Sequence, residues 1–292
     1  MTRTVGYGPL LRRDGPAPAT RNNTLLQVAS SMGLLITDDD EHWQNGIHLQ
    51  SYSPDPANGF DPCGDGSNAI KVAGDTDIPL PEFGAVQVYF AETCTARVVG
   101  PEEEWFTTRA AVGLGGTEEA AIENVLATGG AVPLNPHLTG STWVTVLNGG
   151  AATDPVEGLA LLEEQIGGTK KGGIIHATPA TVTYWARYRC IQEPTRQGDL
   201  YTLSGTPVVC GYGYIDAIPD GQGALSVTED WAFATGPIKI WREPNITIYP
   251  GSYKEALDRH TNTLTYRAER TYVVSWDTVL DAAILIDRNI DP

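Results

Sequence analysis

The chain has 292 residues, enough for two ordinary domains or one large elongated one with a real core. Its 41% hydrophobic content and seven tryptophans exclude intrinsic disorder, while 32 glycines and 20 prolines require many turns and long connections, so strands are expected to outnumber helices. Nineteen basic against 36 acidic residues leave a formal charge of −17, which opposes general adhesion to nucleic acid or to an anionic membrane.

Residues 1–23 are rich in Gly, Pro and Arg and form an expected extended arm. They hold Arg3, Arg12, Arg13 and Arg21 against Asp14 alone, a local balance of +3. "NNTLLQVASSMG" predicts a short helix capped by Asn23 or Thr24 and stopped at Gly33. From 38 to 104 the chain carries fourteen acids, among them Asp38, Asp39, Asp40 and Glu41, against only Lys71 and Arg97. Two readings of this asymmetry stand side by side: a solvated acidic surface with a frayed arm, or a basic arm that crosses the acidic surface of a neighbouring copy. Between 38 and 84 turn formers dominate, as in "SPDPANGFDPCGDGSN", and an excursion of that length is expected to bind something.

"GAVQVYFAETCTARVV" predicts a strand with Val86, Val88 and Phe90 on one face. "GPEEEWFTTRAAVGLGGTEEAAIENVLATGG" is helical, with Pro101 at its start and acids at the positive end of the helix dipole. Phe106, Ala110 and Leu114 form an apolar stripe that resumes at Ile122, Val125 and Leu126. Gly115 and Gly116 interrupt it, and two readings stand, a break with Thr117 capping a second helix or a bend in one long helix of about 40 Å, of which the break is the expectation. Further along, "STWVTVLN", "GGIIHAT", "TPVVCGYGY" and "DWAFATGPIKIWRE" predict strands. "DPVEGLALLEEQIGG" predicts a helix capped by Asp154 with Pro155 in its first turn, "PATVTYWARYR" a short helix or extended segment, and "YKEALDRHTN" a last helix. "RAERTYVVSWDTVLDAAILIDR" then supplies two closing strands, with Asp277 at the turn between them. No period of 20 to 50 residues recurs.

The common catalytic signatures do not occur in the sequence. No serine sits in a G-x-S-x-G elbow, and "GYGYID" lacks the third glycine of a dinucleotide fingerprint. "GGTKKGG" is not in phosphate-loop order, and "DPCGDG" places Cys63 and Val72 where a calcium loop needs oxygen ligands. His42 and His48 lie six apart, a spacing that suits neither a helix face nor a ligand loop, and His176 in "IIHAT" reads as a satisfied histidine of a packed strand. His137 and His260 carry no signal. Cys63, Cys94, Cys190 and Cys210 form no C-x-x-C pair and are expected as free thiols. "MTRTVGYGPLLRR" has no apolar h-region and no stretch approaches a membrane span, so a reducing cytosol is the expected place of synthesis and no metal or cofactor is expected.

The order of parts, basic arm, short helix, long acidic excursion closing on a strand, capped long helix, mixed middle and a return through long strands, resembles the tailed-phage major capsid fold (the Hong Kong phage type), which encapsulins share. The resemblance covers residues 24–288 as architecture and rests on no short motif. It implies an α+β chain in four parts. These are an N-terminal arm and short helix (1–37), an extended loop and strand (38–99), a peripheral domain with a spine helix (101–129 with 236–292), and an axial domain (130–235). Both closing strands would then belong to the peripheral sheet. It also implies a structural function without turnover: self-assembly as hexamers and pentamers into an icosahedral phage head enclosing double-stranded DNA held without sequence-specific contact. A decoration or portal protein is a possible further partner, no membrane is involved, and the destination is a virion assembled in the host cytoplasm. Contacts between copies are expected at Arg3, Arg12, Arg13, Arg21, Asp38, Asp39, Asp40, Glu41 and Lys71, the last being the one lysine of the candidate loop for members that crosslink lysine to asparagine. The alternatives are an encapsulin-type shell, a head-to-tail connector or tail component, and a cytosolic α/β enzyme whose scattered site includes His176.

Overall fold

A computed structural model of the chain describes residues 17, 22–37, 42–49, 81–95, 103–130, 132, 135–192 and 199–290. The first helix, α1 (Leu25–Ser31), starts where the Thr24 hydroxyl accepts from the Gln27 N–H at 3.4 Å and stops before Gly33, whose φ of +70° suits glycine. It buries Leu25, Leu26, Val28 and Ala29. Short strands β1 (Leu35–Ile36), β2 (Ile47–His48) and β3 (Glu82–Phe83) follow. β2 and β3 pair antiparallel, Ile47 opposite Phe83, so the excursion leaves and returns through a two-stranded base. Asn135 clamps that base. Its Oδ1 accepts from Gly84 N at 2.6 Å and its Nδ2 donates to Gly84 O at 3.1 Å.

β4 (Val86–Thr95) leads to α2 (Glu103–Thr128), a single helix of 26 residues and about 39 Å. The expected break at Gly115 and Gly116 is therefore corrected. Thr117 does not cap a new helix; its hydroxyl donates to the Gly113 carbonyl one turn back at 2.8 Å. The glycines have separate reasons. A side chain at Gly113 would run into the Phe90 ring of β4, whereas Gly115 faces open space. Phe106, Ala110, Leu114, Ile122 and Leu126 are all buried, as the stripe requires, while Val125 is half-buried.

The middle of the chain supplies β5 (Thr145–Val146), α3 (Pro155–Thr169), β6 (Ile174–Ala177), α4 (Pro179–Arg187), β7 (Leu200–Tyr201) and β8 (Pro207–Cys210). Asp154 caps α3 as expected, accepting from Val156 N and Glu157 N at 2.8 and 3.0 Å. "STWVTVLN" yields only two strand residues, because the chain turns into a 3₁₀ segment whose Asn148 and Gly149 have φ of 51° and 62°. The "GYGY" run ends β8 rather than extending it. Gly211 and Gly213 press against Glu123 and the α2 backbone, leaving no room for side chains. Last come β9 (Glu229–Thr235), β10 (Ile238–Arg242), β11 (Thr247–Tyr249), α5 (Tyr253–Ala256), β12 (Leu257–Asp258), β13 (Thr263–Trp276) and β14 (Asp281–Asp287). By count, fourteen strands outnumber five α-helices among the described residues.

Two six-stranded sheets result. In the first, β13 pairs with β4 along one edge, from Thr263 opposite Thr95 to Tyr272 opposite Val86. Its other edge takes β12, β11 and β10 in turn, and β1 extends β10 in parallel. α2 lies on the face that presents Val86, Val88, Tyr266 and Tyr272. The second sheet runs β5-β14-β9-β6-β8-β7. α3 and α4 cover one of its faces with Leu159, Leu162, Ile166, Val182 and Trp185. Ile174, Val209, Trp231, Phe233 and Ala283 on the other face join the main core with α1, α2 and the first sheet.

The expectation that both closing strands share one sheet is corrected: β13 belongs to the first and β14 to the second. The nearly all-apolar "AAILID" suits a central strand covered on both faces, and β14 sits between β5 and β9. β9 and β10 divide in the same way across Gly236 and Pro237. The two crossings touch. Gly236 N donates to Leu280 O at 3.0 Å and Asp277 N to Pro237 O at 3.1 Å, while Gly236 lies too close to Asp277 to carry a side chain.

The glycine contrast in α2 is testable by thermal unfolding. Gly115→Ala should stabilise the chain by about 0.5–1 kcal/mol through helix propensity, and Gly113→Ala should cost roughly 1–3 kcal/mol by overpacking against Phe90.

Candidate assembly surface and its buried supports

The nine residues expected at contacts between copies, Arg3, Arg12, Arg13, Arg21, Asp38, Asp39, Asp40, Glu41 and Lys71, all lie outside the described residues. So does Cys63, and neither Cys190 nor Cys210 forms a disulfide among the described residues. Among the described residues no three metal-ligating side chains converge, and no helix is long and apolar enough to cross a membrane. His42 opens a 3₁₀ turn and His48 lies in β2.

What the described residues do present is an exposed patch on one face of the first sheet. Strand alternation turns Val86 and Val88 toward α2 and leaves Gln87, Tyr89, Ala91 and Thr93 exposed on the opposite side. There, Arg267 of β13 places its guanidinium 5.8 Å from the ring centres of both Tyr89 and Tyr249, and its Nε lies 2.7 Å from Glu269 Oε2. Tyr89, Ala91, Tyr249, Pro250, Thr265 and Arg267 line a shallow hollow of about 430 Å³. A flat tyrosine–arginine surface of this kind is the composition that protein contacts favour over the rest of a surface. A second, larger groove of about 880 Å³ runs beside α4, with Val182, Ala186, Leu200 and Leu203 among its walls.

Beneath these surfaces lie three buried polar supports. In the first, Glu118 of α2 accepts two hydrogen bonds from Arg270 Nη1, at 3.1 and 2.9 Å, and one from the Tyr272 hydroxyl at 2.5 Å. Burial and then the Glu118 charge push the Tyr272 hydroxyl far up. In the second, Glu123, fully buried, accepts from Leu25 N at 3.3 Å and Gly213 N at 3.0 Å, tying α1 and the loop after β8 to α2. In the third, His176 pairs Nδ1 with the Tyr214 hydroxyl and Nε2 with the Thr235 hydroxyl, each at 3.0 Å. The reading of His176 as a satisfied core histidine holds: it is wholly inaccessible, and burial lowers its pKa from 6.5 to about 3. A histidine neutral at every ordinary pH and closed to solvent makes a poor general base.

Glu118 and Glu123 were missed in the sequence, and one of them had a signal. Phe106, Ala110, Leu114, Ile122 and Leu126 recur at steps of four except for one gap, and Glu118 fills it. An acid in the middle of an apolar stripe announces a buried cation or hydroxyl elsewhere. Glu123 had no such mark, because its partners are backbone amides from two distant segments.

No protein-family pattern matches the sequence, and no curated protein resembles it in sequence. Solved structures do resemble it in fold. The capsid of an empty GTA particle is similar at TM-score 0.52 and 14% identity over 95% of this chain and 100% of that one. The capsid of the native GTA particle follows at TM-score 0.51 and 11% identity, over 97% of each chain. A chain of Microbacterium phage Oxtober96 is similar at TM-score 0.50 and 10% identity, over 95% of this chain and 96% of that one. The α+β architecture of the chain is thus the tailed-phage capsid fold expected from its order of elements.

Two measurements test the supports. Arg270→Met should lower the urea midpoint by the equivalent of about 3 kcal/mol, because Glu118 is left buried without its cation, and adding Glu118→Gln should recover at least half of that loss. The His176 shift has a definite sign. Its folded pKa lies below its unfolded one, so its contribution is present above pH 6.5 and is lost as pH falls toward about 3. A pH series of unfolding should show that loss, on the order of a few kcal/mol, and His176→Gln should flatten it.

Proposed function

We propose that the chain is a structural shell subunit, a major capsid protein that assembles through many copies of itself into a closed icosahedral head around double-stranded DNA. The observation that carries this reading is the fold, matched over nearly the whole length of both chains to the capsid of a GTA particle. In this reading the first sheet with α2 forms the peripheral part and the second sheet with α3 and α4 the axial part. The excursion above the β2–β3 base is the extended loop. The basic arm lies against the acidic loop surface of a neighbouring copy, and complementary charge there sets orientation and partner choice more than total affinity. The exposed patch around Tyr89, Tyr249 and Arg267 offers a second seat between copies. A formal charge of −17 suits a wall that confines DNA without adhering to it. The role requires no turnover chemistry, and its place is the virion.

Negative-stain electron microscopy of the full chain, with mass by light scattering, tests the reading. Closed shells, or rings of about five and six copies, are expected, since heterologous contacts that close on themselves form rings. A compact monomer or dimer at physiological salt would overturn it. Nuclease-protected DNA inside shells recovered from producing cells is the expected content; protein cargo in its place would convert the reading to an encapsulin-type compartment. A chain lacking residues 1–21 should keep its fold and lose assembly, and normal shells from it would remove the arm from the contact.

A further inference from the structure

The joint where the chain passes twice between the two sheets contains a carboxyl group that no cation among the described residues neutralises. Asp281, the first residue of β14, is 6% exposed, and neither Oδ1 nor Oδ2 accepts a hydrogen bond. Among the described residues the indole of Trp276, the last residue of β13, is the side-chain donor near enough to favour the carboxylate, and it offsets burial only in part; its N–H reaches neither oxygen with hydrogen-bond geometry. Across the ladder stands Thr235, whose hydroxyl is already engaged with His176 Nε2. Lys171, the cation at this joint, is committed 3.3 Å from Asp277 Oδ2.

The elements packed on β14 bring no counter-charge. Thr145 and Val146 of β5 and the 3₁₀ segment Leu147–Gly150 have no titratable groups, and α3 meets the strand with Leu159, Leu162 and Ile166 on the opposite face. On β9 the ionisable groups, Asp230 and Glu229, lie at the far end, opposite Ile286 and Asp287, where Arg288 takes Asp230 at 3.2 Å. His176 is neutral, with both ring nitrogens occupied. A carboxylate without cation or donor in such a place is far costlier than a carboxylic acid, so the packing selects the protonated form. Burial indeed pushes the Asp281 carboxyl well above its usual 3.8.

We propose that Asp281 is a proton-operated latch on the joint between the two sheets: as a neutral acid it keeps the crossings at 236–237 and 277–280 packed together, and as a carboxylate it loosens them so that the sheets can move against each other. The step is a simple ionisation. The Asp281 O–H bond breaks, the proton passes to bulk water, and the carboxylate draws water to itself for want of another partner. The sign is opposite to that of His176. A carboxyl with a raised folded pKa stabilises the joint at low pH, and that stability is lost as pH rises through the folded pKa. The latch does not depend on shell formation, so its failure and that of the capsid reading are separate results.

The test is hydrogen–deuterium exchange of the full chain, read on peptides covering 236–240 and 277–281 and corrected for intrinsic exchange. Between about pH 6 and about pH 9 the wild type should lose about tenfold or more of its protection there, and Asp281→Asn, which cannot ionise, less than about twofold. Equal losses in both chains, or no loss in the wild type, would overturn the latch. Should Asp281→Asn not fold, the infrared C=O band of a protonated carboxyl in the wild type decides. A band that persists above about pH 6 and fades as exchange rises supports the latch, and its absence at about pH 6 refutes it.

Discussion

Everything in the first sheet depends on β13 finding partners along both edges. Residues 86–95 fill one edge, and 238–242, 247–249 and 257–258 fill the other, so strands from four separate stretches converge on fourteen residues near the end of the sequence. A few residues later β14 enters the middle of the second sheet. Neither sheet can therefore close until residues 263–287 are in place, and α2, laid across β4 and β13, has only half its bed before then. Such long-range pairing is slow to form, but it links completion of both sheets to one event. In the proposed reading as a shell subunit, this withholds a finished surface until the chain itself is whole.

α2 also locates the charges. A stripe of apolar residues can slide along a sheet with little change in buried area; a buried glutamate cannot. Glu118 meets Arg270 and Tyr272, two residues apart on the same face of β13, and five positions on Glu123 takes the first amide of α1 and that of Gly213. Displacing the helix by one turn would strand both carboxylates in the core. Buried charges are weak as sources of stability and good as markers of register, and the Glu118–Arg270 pair and the amide-bound Glu123 are placed as the second role requires.

The helices were legible in the sequence wherever the local chemistry of their ends decided them: Thr24 and Gly33 bound α1, and Asp154 with Pro155 starts α3. β4 and the buried β6 followed from period and apolarity. The errors have a common cause, which is that glycine marks close approach as readily as it marks a break. Gly113 admits Phe90, and Gly211 and Gly213 admit Glu123 and the α2 backbone, all contacts with segments remote in sequence. The division of β9 from β10, and of β13 from β14, was equally invisible, because "WAFATGPIKIW" and "YVVSWDTVLDAAILID" continue as strand on both sides of a turn. No local pattern states which sheet a strand will enter. Of the candidate contact site, the charge asymmetry was readable, whereas the tyrosine–arginine face needed the register of β4, β11 and β13 to assemble it.

The joint between the sheets gathers these constraints in one place. Two chain crossings share two backbone hydrogen bonds, and Gly236 admits no side chain against Asp277. Close by, His176 is held neutral against acid while Asp281 is held neutral against base. Their opposite dependences leave a middle range of pH in which both of these groups are neutral, and outside it on either side one of them gains a charge that the packing disfavours. A structure that needed only rigidity would be better served by apolar residues at both positions. Keeping an ionisable group on each side, next to the two strands of chain that join the sheets, is what the proposed latch requires for the stiffness of this joint to follow solvent conditions.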